Sequence, residues 1–174
     1  MNERHRANVF VYPLPNGQEG YYYFATDANP NTVPVEGKFN NTTINDNPIR
    51  SGSYDLTPRP YIPKKTGLSG LKRWLGLALS GNIGGDPNRN FGRAVLSNTG
   101  DGNTIVYPDG TVRTDITIHP GANFRGEGGN SLGCLVPNNR DFESLNEMLQ
   151  KNYRGKARLH LYDTPYGEYH ERQK

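Results

Sequence analysis

One cysteine and one histidine are the residues whose types and spacing could support chemistry in this chain. Cys134 is the only cysteine among 174 residues, and it follows Gly133 in the segment SLGCL. His119 lies fifteen positions earlier, at the end of the apolar segment ITIH. A cysteine attacks a carbonyl carbon as the thiolate, and it needs a base within hydrogen-bond reach. The two residues are therefore a candidate nucleophile and general base.

The segment between these two residues could bring them together. Residues 120–133, PGANFRGEGGNSLG, contain five glycines, which allow the chain to turn back on itself. Gly133 leaves no side chain beside the nucleophile, and the backbone N–H groups of Gly133 and Cys134 could donate to an oxyanion. The alternative is that Cys134 only packs against its neighbours, as most free cysteines do, and that His119 is structural.

Composition and charge restrict the fold and the partners. A chain of 174 residues favours a single domain over residues 1–174, in which residues 1–47 are expected to form a β-hairpin and loops. The 21 glycines, 13 prolines and 11 tyrosines predict a loop-rich, mainly β domain. A net charge of +3 with interspersed acids and bases favours a solvated surface over nucleic-acid binding. One cysteine excludes an internal disulfide, and no Cys/His cluster indicates a metal site.

Hydrophobic periodicity predicts strands on both sides of the candidate site. Residues 8–26 predict two strands around the turn Pro15-Asn16-Gly17, and residues 27–48 predict loops with one strand. Further strands are predicted at 53–57, 93–97, 103–108, 112–119 and 156–163. Helices are predicted at 66–80 and at 138–154, the second with Asn139 as its N-cap and Gly155 as its stop.

The N-terminal segment lacks the pattern of an export signal. Its apolar run extends only from Val9 to Tyr12, which is too short for the core of a signal peptide. No window of the sequence approaches the length of a transmembrane span. These patterns predict a soluble protein that is made in the cytoplasm.

The order of the candidate residues resembles the signature of the L,D-transpeptidase (YkuD-like) catalytic domain. In that family a histidine is followed some fifteen residues later by Ser/Thr-X-Gly-Cys, a pattern matched here by IHPG and SLGCL. The segment PIRSGSYDL, 48–56, is similar to the strand that precedes the catalytic segment in these domains. The resemblance is specific over residues 112–150 and loose over 48–111. It implies a mainly β fold with a few helices, a YkuD-like β-sandwich or open barrel, in a single domain.

The resemblance implies a catalytic role for each matching residue. Cys134 would be the nucleophile and His119 the base, and the backbone carbonyl of Pro120 would orient the imidazole. Ser131 and the amide of Gly133 would shape the oxyanion site.

The same resemblance implies a set of residues that contact the substrate. Arg125, in the loop that faces the site, could pair with a stem-peptide carboxylate, or it could be a solvated loop arginine, and Asn130 and Leu132 are further candidates for substrate contact. Leu132 stands where the family commonly has a histidine, and Val136 stands where it often has an arginine. These departures predict a different substrate preference.

The activity implied by the resemblance is acyl transfer or hydrolysis on peptidoglycan stem peptides, with no metal or cofactor. Cys134 would attack the L,D bond after the third residue and release the terminal D-alanine. The acyl-enzyme would pass to water, as in an L,D-carboxypeptidase, or to an amine, as in an L,D-transpeptidase. Without an export signal, the chain is similar to antibacterial effector toxins that type VI secretion delivers to a target-cell periplasm. Its partners would then be an immunity protein that blocks the cleft and a secretion-system carrier.

Other hypotheses stay open at this point. The chain could be a phage-associated wall enzyme, or an exported wall enzyme whose signal is not part of this sequence. It could also be a non-catalytic structural or binding module that keeps the fold, or a cysteine peptidase with a protein substrate. The order of histidine before cysteine argues against papain-like and NlpC/P60-like peptidases, in which the cysteine comes first.

Overall fold

The computed structural model describes residues 6–39, 42–43, 48–59, 93–119, 130–131, 133–137, 139–151 and 157–167. Within these residues the chain is mainly β, as the composition predicts, with eleven strands and one helix. These elements are β1 (Asn8–Pro13), β2 (Tyr21–Thr26), β3 (Val35–Phe39), β4 (Thr42–Thr43), β5 (Gly52–Arg59), β6 (Arg93–Ser97), β7 (Thr104–Val106), β8 (Val112–Thr114), β9 (Thr117–Ile118), β10 (Asn130–Ser131), α1 (Asn139–Lys151) and β11 (Ala157–Leu161).

Seven of the described strands form one curled, mixed sheet in the order β3-β2-β1-β11-β5-β6-β9, which makes a half-barrel in a single domain. β1 and β11 pair in parallel, and the other neighbours pair antiparallel. The predicted hairpin of residues 8–26 is confirmed, because β1 and β2 pair along their whole length. Asn16 and Gly17 both have positive φ in the connecting turn, as a tight hairpin turn requires.

One face of this sheet and the apolar stripe of α1 form the core. Side chains alternate between the two faces of a strand, so Leu159 and Leu161 of β11 are buried while His160 lies on the opposite face. Phe142 and Leu145 of α1 are fully buried, and the helix packs against β3, β5 and β6. The helix predicted over 138–154 is therefore confirmed over Asn139–Lys151, with Asn139, the predicted N-cap, as its first helical residue, and residues 138 and 152–154 lie outside the described residues. The predicted stop at Gly155 lies outside the described residues.

The segment after Cys134 connects the two edges of the seven-stranded sheet. Leu135 pairs with Ile118 of β9, which is one edge strand, and Pro137 pairs with Phe39 of β3, which is the other. Edge strands expose unpaired backbone groups, and this segment covers part of both edges. The cysteine therefore stands at the start of a segment that is held by backbone pairing on both sides.

The prediction of one strand over residues 112–119 is wrong. The structure has two strands there, and β8 pairs with β7 while β9 pairs with β6 of the main sheet. Asp115 lies between them with a φ of 58°, in the left-handed region that interrupts an extended strand. The break at Asp115 therefore separates Val112 in the β7–β8 sheet from Ile118 in the seven-stranded sheet.

The segment between β2 and β5 contains more strand than the sequence predicts. Residues 27–48 were expected to hold one strand, and they hold β3 together with the short β4, which pairs with β10 in a separate two-stranded sheet. The helix predicted over 66–80 lies outside the described residues. In the part of the chain that the structure describes, no helix is long and apolar enough to cross a membrane.

Candidate functional site

The register between β9 and the segment after the cysteine brings His119 and Cys134 to the same face. The His119 amide donates to the Leu135 carbonyl at 3.2 Å, and the Leu135 amide donates to the Thr117 carbonyl at 3.0 Å. Ile118 and Leu135 are paired and fully buried in the core. Because side chains alternate along an extended chain, Thr117, His119 and Cys134 face away from the core.

Apolar side chains surround this second face. Val95 pairs with Thr117 across β6 and β9, and it is 2% exposed, while Val136 is 1% exposed. Neither valine belongs to the core cluster on the other side of the sheet. Cys134 and His119 are only partly buried. The thiol is therefore accessible but lies next to apolar surface, where electrostatic interactions are stronger than in water.

Three groups contact the sulfur of Cys134. The His119 side chain forms a hydrogen bond with it. The Thr117 hydroxyl donates to the sulfur at 3.7 Å. The Cys134 thiol in turn donates to the carbonyl oxygen of Asp115, with 3.8 Å between the sulfur and the oxygen. Asp115, whose backbone is in the left-handed region, thus directs its carbonyl group at the Cys134 thiol. The predicted proximity of His119 and Cys134 is confirmed, whereas their catalytic roles stay a prediction.

The balance of these contacts lowers the pKa of the Cys134 thiol. Burial is the strongest influence and raises the pKa, because it disfavours the charged thiolate. The hydrogen bond with His119, a backbone hydrogen bond from Thr117, the charge of His119 and the Thr117 hydroxyl all lower it, and together they outweigh burial. The contacts with His119 and Thr117 therefore make the thiolate easier to form than in a free cysteine, and the thiolate is the reactive form of a cysteine nucleophile.

Gly133, directly before Cys134, has a backbone conformation that favours glycine and a guanidinium group packed against it. Its φ is +116°, a conformation that side-chain-bearing residues rarely adopt. A Cβ atom built on it would overlap Nη2 of Arg113 and lie 3.0 Å from both Cζ and Nη1 of that side chain. The positive φ of this residue agrees with the glycine turn that the sequence predicts before Cys134. Its role as an oxyanion amide stays a prediction.

The remaining predicted site residues are described only in part or not at all. Asn130 and Ser131 form β10, whose backbone pairs in parallel with Thr42 and Thr43. This pairing fixes the chain two residues before the Gly133 turn. Pro120, Arg125 and Leu132 lie outside the described residues, and their predicted roles stay predictions.

Arg113 is a residue of the site that the sequence did not indicate. It pairs with Ile105 across the β7–β8 hairpin, and cross-strand partners point to the same face. Ile105 is fully buried in the core cluster, so this face of the hairpin packs inward and directs the Arg113 guanidinium onto Gly133. Val106 and Val112, on the other face, are exposed. The alternation in VRT was visible in the sequence, but the contact with residue 133 was not.

His160 is the other histidine in the described part of the chain, and it has a different environment. Its ring lies on β11 and contacts the Ser53 hydroxyl at 3.0 Å and the Asn8 side-chain oxygen at 3.1 Å. It also stacks on Phe10, with 5.2 Å between ring centroids. Burial, followed by the charge of Arg158, lowers its pKa, so the neutral ring is favoured. These contacts describe a structural histidine on the outer face of the sheet.

Comparison with protein-family models, with curated proteins and with solved structures finds no match to this chain. The resemblance over residues 112–150 therefore rests on the sequence motif alone. Among the described residues, no group of three or more His, Cys, Asp and Glu side chains is placed to hold a metal ion.

Proposed function

We propose that the protein is a cysteine-dependent acyltransferase or hydrolase that acts on peptidoglycan stem peptides, with the L,D-transpeptidase (YkuD-like) type of fold and chemistry. The observation that carries the proposal is the hydrogen bond between His119 and the partly buried Cys134, whose thiol pKa is lowered. A mainly β half-barrel with a helix and a closing strand after the cysteine is consistent with this fold type.

The proposed reaction begins with attack of the Cys134 thiolate on a substrate carbonyl carbon. A tetrahedral intermediate forms, and its oxyanion is stabilised by backbone N–H groups of the Gly133–Cys134 turn. The intermediate expels the amine of the leaving residue, which takes a proton from the His119 imidazolium. This step leaves a thioester on Cys134 and a neutral imidazole on His119.

The second half of the reaction returns the enzyme to its initial state. His119, now neutral, removes a proton from water or from an acceptor amine as that group attacks the thioester. Attack by water gives the carboxypeptidase product, and attack by an amine gives the exchange or cross-linked product. Departure of the thiolate regenerates the pair of Cys134 and His119.

The direct test is mass spectrometry of purified muropeptides after incubation with the protein. Loss of one D-alanine from tetrapeptide stems, or replacement of D-alanine by an added D-amino acid, is expected with the wild type. Cys134→Ala and His119→Gln should give neither product while retaining the circular dichroism spectrum of the wild type. Products that persist in Cys134→Ala would show that another residue is the nucleophile.

The muropeptide experiment, together with a sacculus-binding assay and covalent labelling of Cys134, addresses the alternatives. A phage-associated wall enzyme would give the same chemistry. A non-catalytic module would bind peptidoglycan sacculi without changing any muropeptide mass. A cysteine peptidase for a protein substrate would leave muropeptides unchanged but would still react with peptide chloromethyl ketones at Cys134.

A further inference from the structure

We propose that Arg113 is a positioning residue, which holds the Gly133–Cys134 turn in the conformation that brings Cys134 to His119. The proposal rests on the proposed function in that Cys134 is taken as the reacting group. Arg113 acts through the glycine before the nucleophile, and it is not assigned a contact with the substrate.

The first support is the close packing of the guanidinium on Gly133. The side chain fills the space in which a Cβ of residue 133 would stand, with the guanidinium group against the backbone. Gly133 is buried and has a φ of +116°. A glycine has many accessible backbone conformations, so a neighbour is needed to select one of them. The planar Arg113 group is the neighbour that the structure places there.

The second support is that Arg113 is itself held by a fixed part of the fold. Its Nη1 group donates to the carbonyl of Pro48 at 3.4 Å. The adjacent Ile49 is buried in the core, and the Tyr54 hydroxyl donates to the carbonyl of Arg50 at 2.6 Å. The residues directly after Pro48 are therefore held by the core and by this hydrogen bond, and the Pro48 carbonyl can restrain the position of Arg113.

The hairpin that carries Arg113 also offers a matched control. Arg50 forms an ion pair with Asp109 at 2.8 Å in the β7–β8 turn and lies 4.3 Å from the centroid of the Tyr107 ring. Like Arg113, Arg50 connects the β7–β8 hairpin to the segment of residues 48–50, and both side chains carry a positive charge. The Arg50 guanidinium contacts Asp109 and Tyr107, whereas the side chain packed on Gly133 is that of Arg113, so Arg50→Met removes an arginine from this region and keeps the group that packs on the turn.

The first measurement is the pH dependence of iodoacetamide alkylation of Cys134. Arg113→Met should shift the inflection to higher pH and lower the rate at pH 7 roughly tenfold, because the hydrogen bonds from His119 and Thr117 depend on the turn. Arg113→Lys keeps the charge but not the planar group, and we expect a loss of at least about threefold. Arg50→Met should remain within about twofold of the wild type.

Repeating the alkylation measurement at high salt distinguishes positioning of the Gly133–Cys134 turn by Arg113 from a direct effect of the Arg113 charge on the thiolate. A through-space effect of the Arg113 charge on the thiolate would be screened at 1 M KCl. A positioning effect should persist at that concentration. The proposal is overturned if the shift disappears at 1 M KCl, if Arg113→Lys behaves as the wild type, or if Arg50→Met has the same effect as Arg113→Met.

The second measurement is amide hydrogen exchange, which needs no reactive thiol. Arg113→Met should increase exchange at Leu135 and His119, whose amides bond across the β9 pairing, while amides of β1 and β11 remain protected. Uniform exchange increases, or none, would contradict the proposal. If wild-type Cys134 reacts like an ordinary exposed thiol, the proposed function fails, and the exchange result still decides the role of Arg113. Should Arg113→Met not fold, Arg113→Lys gives the same comparison.

Discussion

The pKa of the Cys134 thiol should depend on His119, and the reactivity of the thiol reports this directly. Since the folded structure lowers the pKa of Cys134, the alkylation rate should reach its plateau at a lower pH than the same cysteine does in urea. His119→Gln removes the hydrogen bond and the charge, so the inflection should move up and the rate at pH 7 should fall on the order of tenfold. The measurement is iodoacetamide labelling followed by intact mass.

Thr117→Val provides a graded comparison for this prediction. It removes the hydroxyl that donates to the sulfur at 3.7 Å but keeps the shape of the side chain. The backbone hydrogen bond from Thr117 remains, so a smaller decrease of about two- to threefold at pH 7 is expected. Equal plateaus and inflections for the wild type, Thr117→Val and His119→Gln would contradict the dependence of the thiol pKa on His119.

Gly133→Ala should be destabilising, mainly because a side chain is strained at the φ of this residue and in part because Arg113 must move. Gly133→Ala places a methyl group on the guanidinium in a strained backbone conformation, and we expect a loss of about 2–4 kcal/mol in the free energy of unfolding. Arg113→Ala removes the overlap but not the strain, so Gly133→Ala should cost less in that background. Urea denaturation of the two single variants and the double variant measures this coupling. Strict additivity of the two changes would count against the contact.

At the scale of elements, the break between β8 and β9 should depend on the conformation of Asp115. A β-branched residue is strongly disfavoured at a φ of 58°, whereas glycine, and to a lesser degree asparagine, can adopt this angle. Asp115→Val should therefore destabilise the protein by about 1–3 kcal/mol, and Asp115→Gly should change stability by less than about 1 kcal/mol. Thermal denaturation of both, with Thr114→Val in the exposed strand β8 as the control, measures the difference.

The same break has a consequence for the site. The Asp115 carbonyl oxygen lies 3.8 Å from the Cys134 sulfur, so a change in its backbone should also alter thiol reactivity. Asp115→Val is expected to change the alkylation profile of Cys134, and Asp115→Asn is not. A valine variant with wild-type stability would show that the left-handed conformation is not required at this position.

At the scale of the whole molecule, the hypothesis from the sequence that the protein is an antibacterial toxin makes a further prediction. If the protein acts on the wall of a target cell, cytoplasmic expression in a Gram-negative host should be harmless. The same chain fused to an export signal should cause lysis, swelling or arrest, and this effect should require both Cys134 and His119. Growth is compared for exported wild type, exported Cys134→Ala and exported His119→Gln.

The control for this experiment is a fractionation that confirms each protein in the periplasm at equal level. Equal growth of the wild type and Cys134→Ala would contradict the toxin hypothesis. It would leave a phage-associated or self-wall enzyme as the context for the proposed chemistry, which the muropeptide assay tests separately.

The local sequence determined several parts of this protein. Alternating apolar residues and the Asn16-Gly17 turn specify the β1–β2 hairpin, and the apolar stripe with Phe142 and Leu145 specifies α1, because these signals act between near neighbours. The residue types of His119 and Cys134, with the glycines between them, predicted a pair that could meet. Their hydrogen bond agrees with that prediction.

Only the tertiary structure decided how the pair is held. The break at Asp115, the pairing of residues 135–137 with both edges of the sheet and the contact of Arg113 with Gly133 all depend on strand register. Register is set by which long-range pairs bury the most apolar surface, and a shift of one residue would turn Cys134 into the core. No local pattern records such a choice, because its free energy comes from residues that are distant in the chain and adjacent only after folding.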